Sequence, residues 1–215
     1  MKKFIISIDA GTTSIRSILF DIKGKPIFSS QKEFTQYFPK NGWVEHDPDE
    51  IWLKTKKTLQ DVVYKAKKLK GKILTIGITN QRETTILWNK KTGKVVYKAI
   101  VWQDRRTEDF CKKLRSQNKE TTFFNKTGLL IDPYFSATKV KWILDNIPLA
   151  KKLMKNDNLL FGTIDCFLIW RLTKNQIHAT DATNASRTML YNIGTNKWDD
   201  GILKLLKIKK NILPK

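Results

Sequence analysis

Residues 5–20 (IISIDAGTTSIRSILF) constrain the fold most strongly, because an apolar run ends on an acid and is followed by a tight polar turn. The β-branched isoleucines of the first run are too few for a helix, so they predict a buried strand that ends at Asp9. Gly11 lets the backbone turn where a side chain would clash. The pattern GxxxxGK[ST] is absent, so a phosphate loop here is not of the Walker type.

The same turn offers groups for phosphate and for a metal ion. Peptide N–H groups and the hydroxyls of Thr12, Thr13 and Ser14 can surround phosphate oxygens, and Asp9 could hold Mg²⁺ through water. A β-hairpin with a polar turn is the plainer interpretation. A second turn signal follows, however, and residues 27–34 can supply a third strand. Three meandering strands with a phosphate turn between the first two resemble the actin-like ATPase fold (ribonuclease H-like), which includes the sugar kinases.

Composition indicates a globular α/β protein without a nucleic-acid module. The chain has 215 residues, of which 40% are hydrophobic and 28% charged, and no apolar run of about 18 residues predicts a membrane span. The formal net charge of +21 comes mostly from lysines spread along the chain. Specific base recognition depends on bidentate arginine, and arginines are few in this chain. We therefore expect solvated lysine faces and a general attraction to polyanions, and no specific nucleic-acid partner.

The two cysteines favour a cytoplasmic location. Cys111 and Cys166 are far apart and lack metal-ligand spacing, so we expect two free thiols in a reducing compartment. The apolar run after Lys3 could be mistaken for a signal peptide. Asp9 makes that run too short, and no cleavage site follows.

Strands and helices alternate along the chain, which indicates one α/β domain over residues 1–215. Residues 47–50 carry a helix start, and apolar residues recur at helical spacing as far as residue 66. Gly71 is predicted to end this helix. Residues 73–79 predict a strand buried on both faces because they are largely apolar. Further strands are predicted at 84–88, 95–97 and 99–102. Further helices are predicted at about 106–117, 135–146, 163–171 and 198–207.

Three of these segments end in polar or aromatic groups. Arg82 and Glu83 follow the strand at 73–79, Trp102 ends a later strand, and Tyr134 follows an Asp-Pro turn. Singly, they are consistent with an ion pair, a core tryptophan and a turn residue. Together they suit a small polyol, whose hydroxyls need donors and acceptors and whose carbons need an apolar wall.

At this point the chain resembles the glycerol kinases of the FGGY carbohydrate kinase family over essentially its whole length. ITNQRETT and IDPYFSATKVKW are the most specific matches and favour that group over xylulose or gluconate kinases. Ala10 stands where many members carry Gln. The other matching segments are IDAGTTSIRS, GWVEHDPDEIW, AIVWQDRRT, LLFGTIDCFLIWRLT and TDATNASRTML.

The resemblance implies transfer of the γ-phosphoryl group of ATP to glycerol, giving sn-glycerol 3-phosphate, with Mg²⁺ as the metal. It implies that Asp9 lies by the metal. The residues implied to contact the nucleotide phosphates are Thr12, Thr13, Ser14 and Arg16. Those implied to line the glycerol site are Arg82, Glu83, Trp102 and Tyr134.

The chain departs from the family in length, because members are more than twice as long and have two lobes. The resemblance implies that the catalytic residue, a general-base Asp in an Asp-Gln pair, lies beyond Lys215, as do the adenine pocket and a second glycine-rich loop. Asp104, Asp132 and Asp165 are acids within the chain, and no geometric reason promotes any of them to that role.

Several interpretations therefore stay open. The chain can be an incomplete first lobe, a half of a split enzyme completed by a separate C-terminal polypeptide, or a non-catalytic module that binds glycerol or nucleotide. Another FGGY polyol or sugar kinase is a further alternative. We expect no useful turnover by the isolated chain, and marginal stability or aggregation unless a second chain or a homo-oligomer covers its apolar surface.

Overall fold

In the computed structural model, which describes residues 1–215, the chain begins with the predicted three-stranded meander. The strands are β1 (Lys2–Ala10), β2 (Ser14–Asp21) and β3 (Pro26–Glu33), and each pairs antiparallel with the next. Burial alternates along β1, where Phe4, Ile6, Ile8 and Ala10 are buried and the residues between them are less so. This period of two is typical of a sheet with one covered face.

Helix α1 (Pro48–Lys68) confirms the predicted start. The Asp47 carboxylate accepts hydrogen bonds from the amides of Asp49 (2.9 Å) and Glu50 (3.4 Å), and proline occupies the first turn. These contacts satisfy amides that have no partner within the helix.

The predicted role of Gly71 as the helix terminator is wrong. The cap is Leu69, and Lys70 takes the left-handed conformation with φ 52°. A Cβ at Gly71 would lie 2.1 Å from the Phe4 ring. Glycine is therefore required at this position by the packing of the next strand on β1, and not by the helix end.

That strand, β5 (Gly71–Asn80), pairs parallel with β1 and forms the edge of a sheet ordered β3-β2-β1-β5. The prediction that it is buried on both faces is wrong: Leu74 is 48% exposed and Ile76 is 42% exposed. Apolar residues tend to be buried, but their presence in a strand does not show that a neighbouring element covers them.

The chain divides into two compact units. We call Met1–Gln36 with Asp47–Gln81 the sheet unit, and Tyr37–His46 with Arg82–Lys215 the core unit. The helices of the core unit are α2 (Glu108–Ser116), α3 (Glu120–Thr127), α4 (Ser136–Asn146), α5 (Pro148–Lys155), α6 (Ile164–Leu172), α7 (Ala182–Ala185) and α8 (Asp200–Leu206). Four of these, α2, α4, α6 and α8, confirm predicted helices.

The strands of the core unit form three antiparallel pairs. They are β4 (Glu45–His46) with β7 (Ala99–Ile100), β6 (Ile86–Asn89) with β8 (Leu159–Gly162), and β9 (Tyr191–Asn192) with β10 (Lys197–Trp198). The predicted strand at 95–97 is wrong, since only an isolated bridge joins Trp88 and Val95. The strand predicted at 99–102 is confined to two residues.

A continuous hydrophobic core fills the core unit. It includes Leu87 and Phe161 from the β6–β8 pair and Phe123 from α3, each at most 1% exposed. Both cysteines are free and buried, and burial raises the pKa of the Cys111 thiol to about 11. None of the helices combines the length and the hydropathy that a membrane span requires.

Candidate functional site

The turn between β1 and β2 is held by backbone hydrogen bonds. The Gly11 amide donates to the Ser14 carbonyl (3.0 Å), and the Thr13 carbonyl accepts from the Phe34 amide (3.3 Å). The Thr12 carbonyl accepts from Gln36 Nε2 (3.1 Å). The loop is thus fixed through its carbonyl groups. Its hydroxyl side chains lie at a partly or fully exposed surface.

Two of the predicted phosphate residues share one partner. Gln31 Nε2 donates to Ser14 Oγ (3.0 Å), and Gln31 Oε1 accepts from Arg16 Nε (2.9 Å). Sequence reasoning missed Gln31. The signal that could have found it is register, because Gln31 is the direct cross-strand neighbour of Arg16 in the β2–β3 pair.

Gly11 does not have the predicted steric role. Its φ lies outside the left-handed region, and a Cβ there would meet the Ser14 carbonyl at 3.4 Å, an ordinary contact. The turn itself therefore accepts a side chain at this position.

Asp9 is exposed near the carboxyl end of β1, opposite Arg16 on β2 and Thr79 on β5. The structure has no group of three or more His, Cys, Asp or Glu side chains that could hold a metal ion. One exposed carboxylate fits Mg²⁺ held mainly by water and phosphate oxygens, which is the usual mode for this ion. It does not fit a cage made of protein ligands.

Glu83 is the most constrained of the predicted polyol residues. It is 2% exposed and has a φ of 62°, which is unusual for a residue other than glycine. Its carbonyl accepts from Ser136 Oγ (2.9 Å) and from Thr85 Oγ1 (3.2 Å), and its Oε1 accepts from Arg187 Nε (2.6 Å). Strained conformations that are held this firmly concentrate at binding sites.

The structure brings Trp102 and Tyr134 together beside this segment. Their ring centroids lie 5.4 Å apart at an interplanar angle of 58°. The Trp102 amide donates to Thr84 Oγ1 (3.3 Å), and the Tyr134 amide donates to Asp132 Oδ1 (2.8 Å). Both rings are only partly buried, so they form an accessible aromatic wall and not the centre of a core.

Arg82 is exposed, whereas its neighbour Glu83 is buried. The Thr84 amide donates to the Arg82 carbonyl (2.7 Å), which makes a sharp bend directly after β5. This bend is the condition under which adjacent residues of a strand end can serve one site, since a regular strand would point them to opposite faces.

Asp104, Asp132 and Asp165, the acids considered for the role of general base, all have structural partners. Asp104 is buried, pairs with Arg106 (2.8 Å) and accepts from the Val44 amide (2.6 Å). Asp132 pairs with Arg105 Nη1 (3.0 Å). Both carboxylates are therefore engaged in ion pairs.

Asp165 is likewise engaged. Its carboxylate accepts hydrogen bonds from Thr163 and from Thr180 Oγ1 (2.6 Å for the latter). Burial raises the pKa of Asp165, while these hydroxyls act in the opposite direction.

Lys139 on α4 is a buried cation that sequence reasoning missed. It is fully buried, and its Nζ donates to the carbonyls of Pro133 (2.5 Å), Tyr134 (2.6 Å) and Phe135 (3.3 Å). Burial lowers the pKa of Lys139 to about 7, although the carboxylates of Asp104 and Glu83 act against the shift. The Lys139 amino group therefore holds the backbone on both sides of Tyr134.

Beside Tyr134 lies an open cleft of about 720 Å³. Its walls include Leu129, Phe135 and the arginines Arg115 and Arg187. Of the predicted polyol residues only Tyr134 lines this cleft, whereas Glu83 and Trp102 contact its lining residues Arg187 and Tyr134. This set can orient a small molecule with several hydroxyl groups.

The model for the N-terminal domain of the FGGY family of carbohydrate kinases matches residues 4–215. The chain belongs to this family. A glycerol kinase of Malacoplasma penetrans is 56% identical over 213 residues, which are 99% of this chain and 42% of that protein. The chain therefore spans less than half the length of the curated relatives it matches.

Solved structures agree with the family assignment. A Plasmodium falciparum glycerol kinase with ADP matches with a TM-score of 0.94 and 36% identity over 99% of this chain and 42% of that one. A gluconate kinase of Lactobacillus acidophilus matches with a TM-score of 0.85 and 29% identity, covering 100% and 42%. The expected actin-like ATPase fold is confirmed, since the FGGY N-terminal domain has it.

Proposed function

We propose that this chain is the N-terminal part of a glycerol kinase, which transfers the γ-phosphoryl group of ATP to glycerol and gives sn-glycerol 3-phosphate. The observation that supports it best is the group formed by Glu83, Trp102 and Tyr134 in the core unit. It offers a charged acceptor, a phenol and an apolar wall to one small polyol. The relatives named glycerol kinase favour glycerol over a larger sugar.

The proposed division of labour follows the chemistry of phosphoryl transfer, which depends on positioning and charge more than on covalent help. Thr12, Thr13 and Ser14 contact the nucleotide phosphates with their hydroxyls and amides, and Arg16 adds positive charge. Asp9 would hold Mg²⁺ through water, and the bound ion would neutralise the charge that develops on the phosphate.

On the polyol side, Arg82 and Glu83 bond the glycerol hydroxyls. A hydrogen bond to a charged group contributes about 1.5–3 kcal/mol, which matters for a ligand with so little surface to bury. Trp102 covers the carbon chain, and Tyr134 gives a further hydroxyl contact. The proposal assigns no general base within the chain, and its support is that Asp104, Asp132 and Asp165 each have structural partners.

Titration calorimetry with glycerol tests the polyol half of the proposal. We expect saturable binding by the chain, and its loss in Arg82→Ala and Glu83→Gln. Glu120→Gln is the matched control, because Glu120 borders the same cleft and accepts from the Ile131 amide outside the proposed site. Equal weakening by Glu120→Gln and Glu83→Gln would contradict the assigned residues.

A second candidate function is phosphorylation of another polyol or sugar, and the fold likeness to a gluconate kinase is the observation that favours it. The same titration with gluconate and with xylulose separates the two. Tighter binding of either compound than of glycerol would favour this alternative. Binding of glycerol without phosphoryl transfer by any completed form of the protein would favour a binding module.

A further inference from the structure

Arg187 joins two of the proposed polyol residues that are distant in sequence. Its Nε donates to Glu83 Oε1 at 2.6 Å, across a separation of 104 residues. Its guanidinium carbon also lies 5.6 Å from the Tyr134 ring centroid and 5.1 Å from that of Phe135. One side chain therefore contacts both the carboxylate and the phenol of the proposed site.

Local structure fixes the position of Arg187. Asp181 caps helix α7, with its Oδ1 accepting from the Asn184 amide at 2.8 Å. A 3₁₀ turn (Ser186–Thr188) follows directly and ends at Met189 with φ 61°. Arg187 thus projects from a short, well-capped segment and not from a mobile loop.

Glu83 needs a partner of this kind. A carboxylate that is 2% exposed is costly to bury unless it is paired and hydrogen-bonded. A guanidinium is planar and presents its donors in a fixed fork, whereas an ammonium is a point charge on a flexible stem. The ion pair with Arg187 therefore orients the Glu83 carboxylate and also compensates its negative charge.

We propose that Arg187 is a positioning residue for polyol recognition, which holds the Glu83 carboxylate and the Tyr134 ring in one arrangement. Arg187 acts through these two residues and is not itself a ligand of the polyol. The inference rests on the proposed function, because it concerns the same site.

Arg187→Lys tests the proposal while keeping the positive charge beside Glu83. We expect the dissociation constant for glycerol to rise about tenfold, which corresponds to one charge-assisted hydrogen bond. Arg187→Gln, which also removes the charge, should weaken binding at least as much. Circular dichroism confirms that each variant is folded.

Arg115→Lys is the matched control. Arg115 borders the same cleft and is similarly exposed, 33% against 31% for Arg187. Arg115 donates hydrogen bonds to the Ile131 carbonyl and to Glu108, and it forms no hydrogen bond with Glu83 or Tyr134. We expect its glycerol affinity to equal that of the wild type. Wild-type affinity in folded Arg187→Lys would overturn the inference and leave the proposed function intact.

Hydrogen exchange supplies a measurement that needs no substrate. If Arg187 holds the Glu83–Tyr134 arrangement, amides of residues 132–136 should exchange faster in Arg187→Lys than in the wild type. Absence of glycerol binding by the wild type would contradict the polyol half of the proposed function. In that case equal exchange in Arg187→Lys and the wild type would overturn the positioning role, and faster exchange in Arg187→Lys would support it.

Discussion

The sheet unit and the core unit differ in the exposure of their predicted site residues. In the sheet unit the predicted metal residue Asp9 and the predicted phosphate residues Thr13 and Arg16 are exposed. In the core unit Arg82 is exposed, but Glu83 is buried and paired with Arg187. Phosphate can be bound by backbone amides and by charge alone, whereas a small neutral polyol requires acceptors and donors held in one geometry. The comparison teaches that internal contacts preorganise Glu83, one of the proposed polyol residues.

The largest effect is expected at Arg106 in the core unit. Its side chain is fully buried, pairs with Asp104 and Glu45 (both 2.8 Å), and lies 3.7 Å from the Trp43 ring centroid. Arg106→Met leaves two buried carboxylates without their cation, so we expect a loss of about 3–5 kcal/mol in the free energy of unfolding. Urea denaturation measures it.

The neighbouring Arg105→Met is the control for this loss. Arg105 also pairs with two acids, Glu108 and Asp132, but its side chain is 51% exposed. We expect a change of about 1 kcal/mol or less. Equal losses in the free energy of unfolding for Arg106→Met and Arg105→Met would contradict the distinction between buried and surface charges.

The buried Lys139 gives a pH dependence with a defined sign. Its folded pKa is about 7 and its ordinary value is 10.5, so between these values the unfolded chain binds more protons. The free energy of unfolding should therefore rise with pH above about 7, by at most about 1.4 kcal/mol per pH unit. Denaturation of the wild type and Lys139→Met at pH 7.0 to 8.5 measures the difference.

An upper limit of pH 8.5 restricts the opposing contribution of the two buried thiols. Burial raises the pKa of Cys111 from 9.0 to about 11 and raises that of Cys166 well above its ordinary value, and both shifts lower stability as the pH rises through the unfolded value. Lys141→Met is the control, because Lys141 pairs with the exposed Asp145 on the same helix. An identical pH slope in the wild type and Lys139→Met would contradict the buried-lysine account.

The smallest effect on stability is expected at the β5 edge of the sheet unit. Leu74 and Ile76 are 48% and 42% exposed on an edge strand, and unpaired apolar edges promote association. Leu74→Lys with Ile76→Lys should change the free energy of unfolding by about 0.5 kcal/mol or less while reducing self-association. Light scattering measures association, and scattering unchanged by the substitutions would show that this edge does not drive it.

The sequence predicted features that depend on neighbouring residues, and it missed features that depend on contacts between residues far apart in the chain. Helix α1 was predictable because Asp47 and Pro48 form its first turn, and the β1–β2 turn because its hydroxyls are consecutive. Helix α3 was missed because its eight residues (ETTFFNKT) contain no apolar repeat at helical spacing. The burial of β5 was mispredicted because exposure depends on neighbours that composition does not specify.

The site divides in the same way. Arg82, Glu83, Trp102 and Tyr134 could be proposed because each ends a recognisable segment. Arg187 lies in TDATNASRTML, a segment that matched the family, yet its role depends on a partner 104 residues away. The three carbonyl contacts of Lys139 depend on the path of the loop before α4, which periodicity does not predict.

The most direct test of the central claim is an assay of product. The chain is assayed alone and joined to the remaining, C-terminal part of the Malacoplasma penetrans glycerol kinase, with ATP, Mg²⁺ and glycerol. The account predicts sn-glycerol 3-phosphate from the joined protein, none from the chain alone, and loss of the product with Glu83→Gln. Ordinary turnover by the chain alone, or a joined protein that phosphorylates gluconate or xylulose in preference to glycerol, would contradict it.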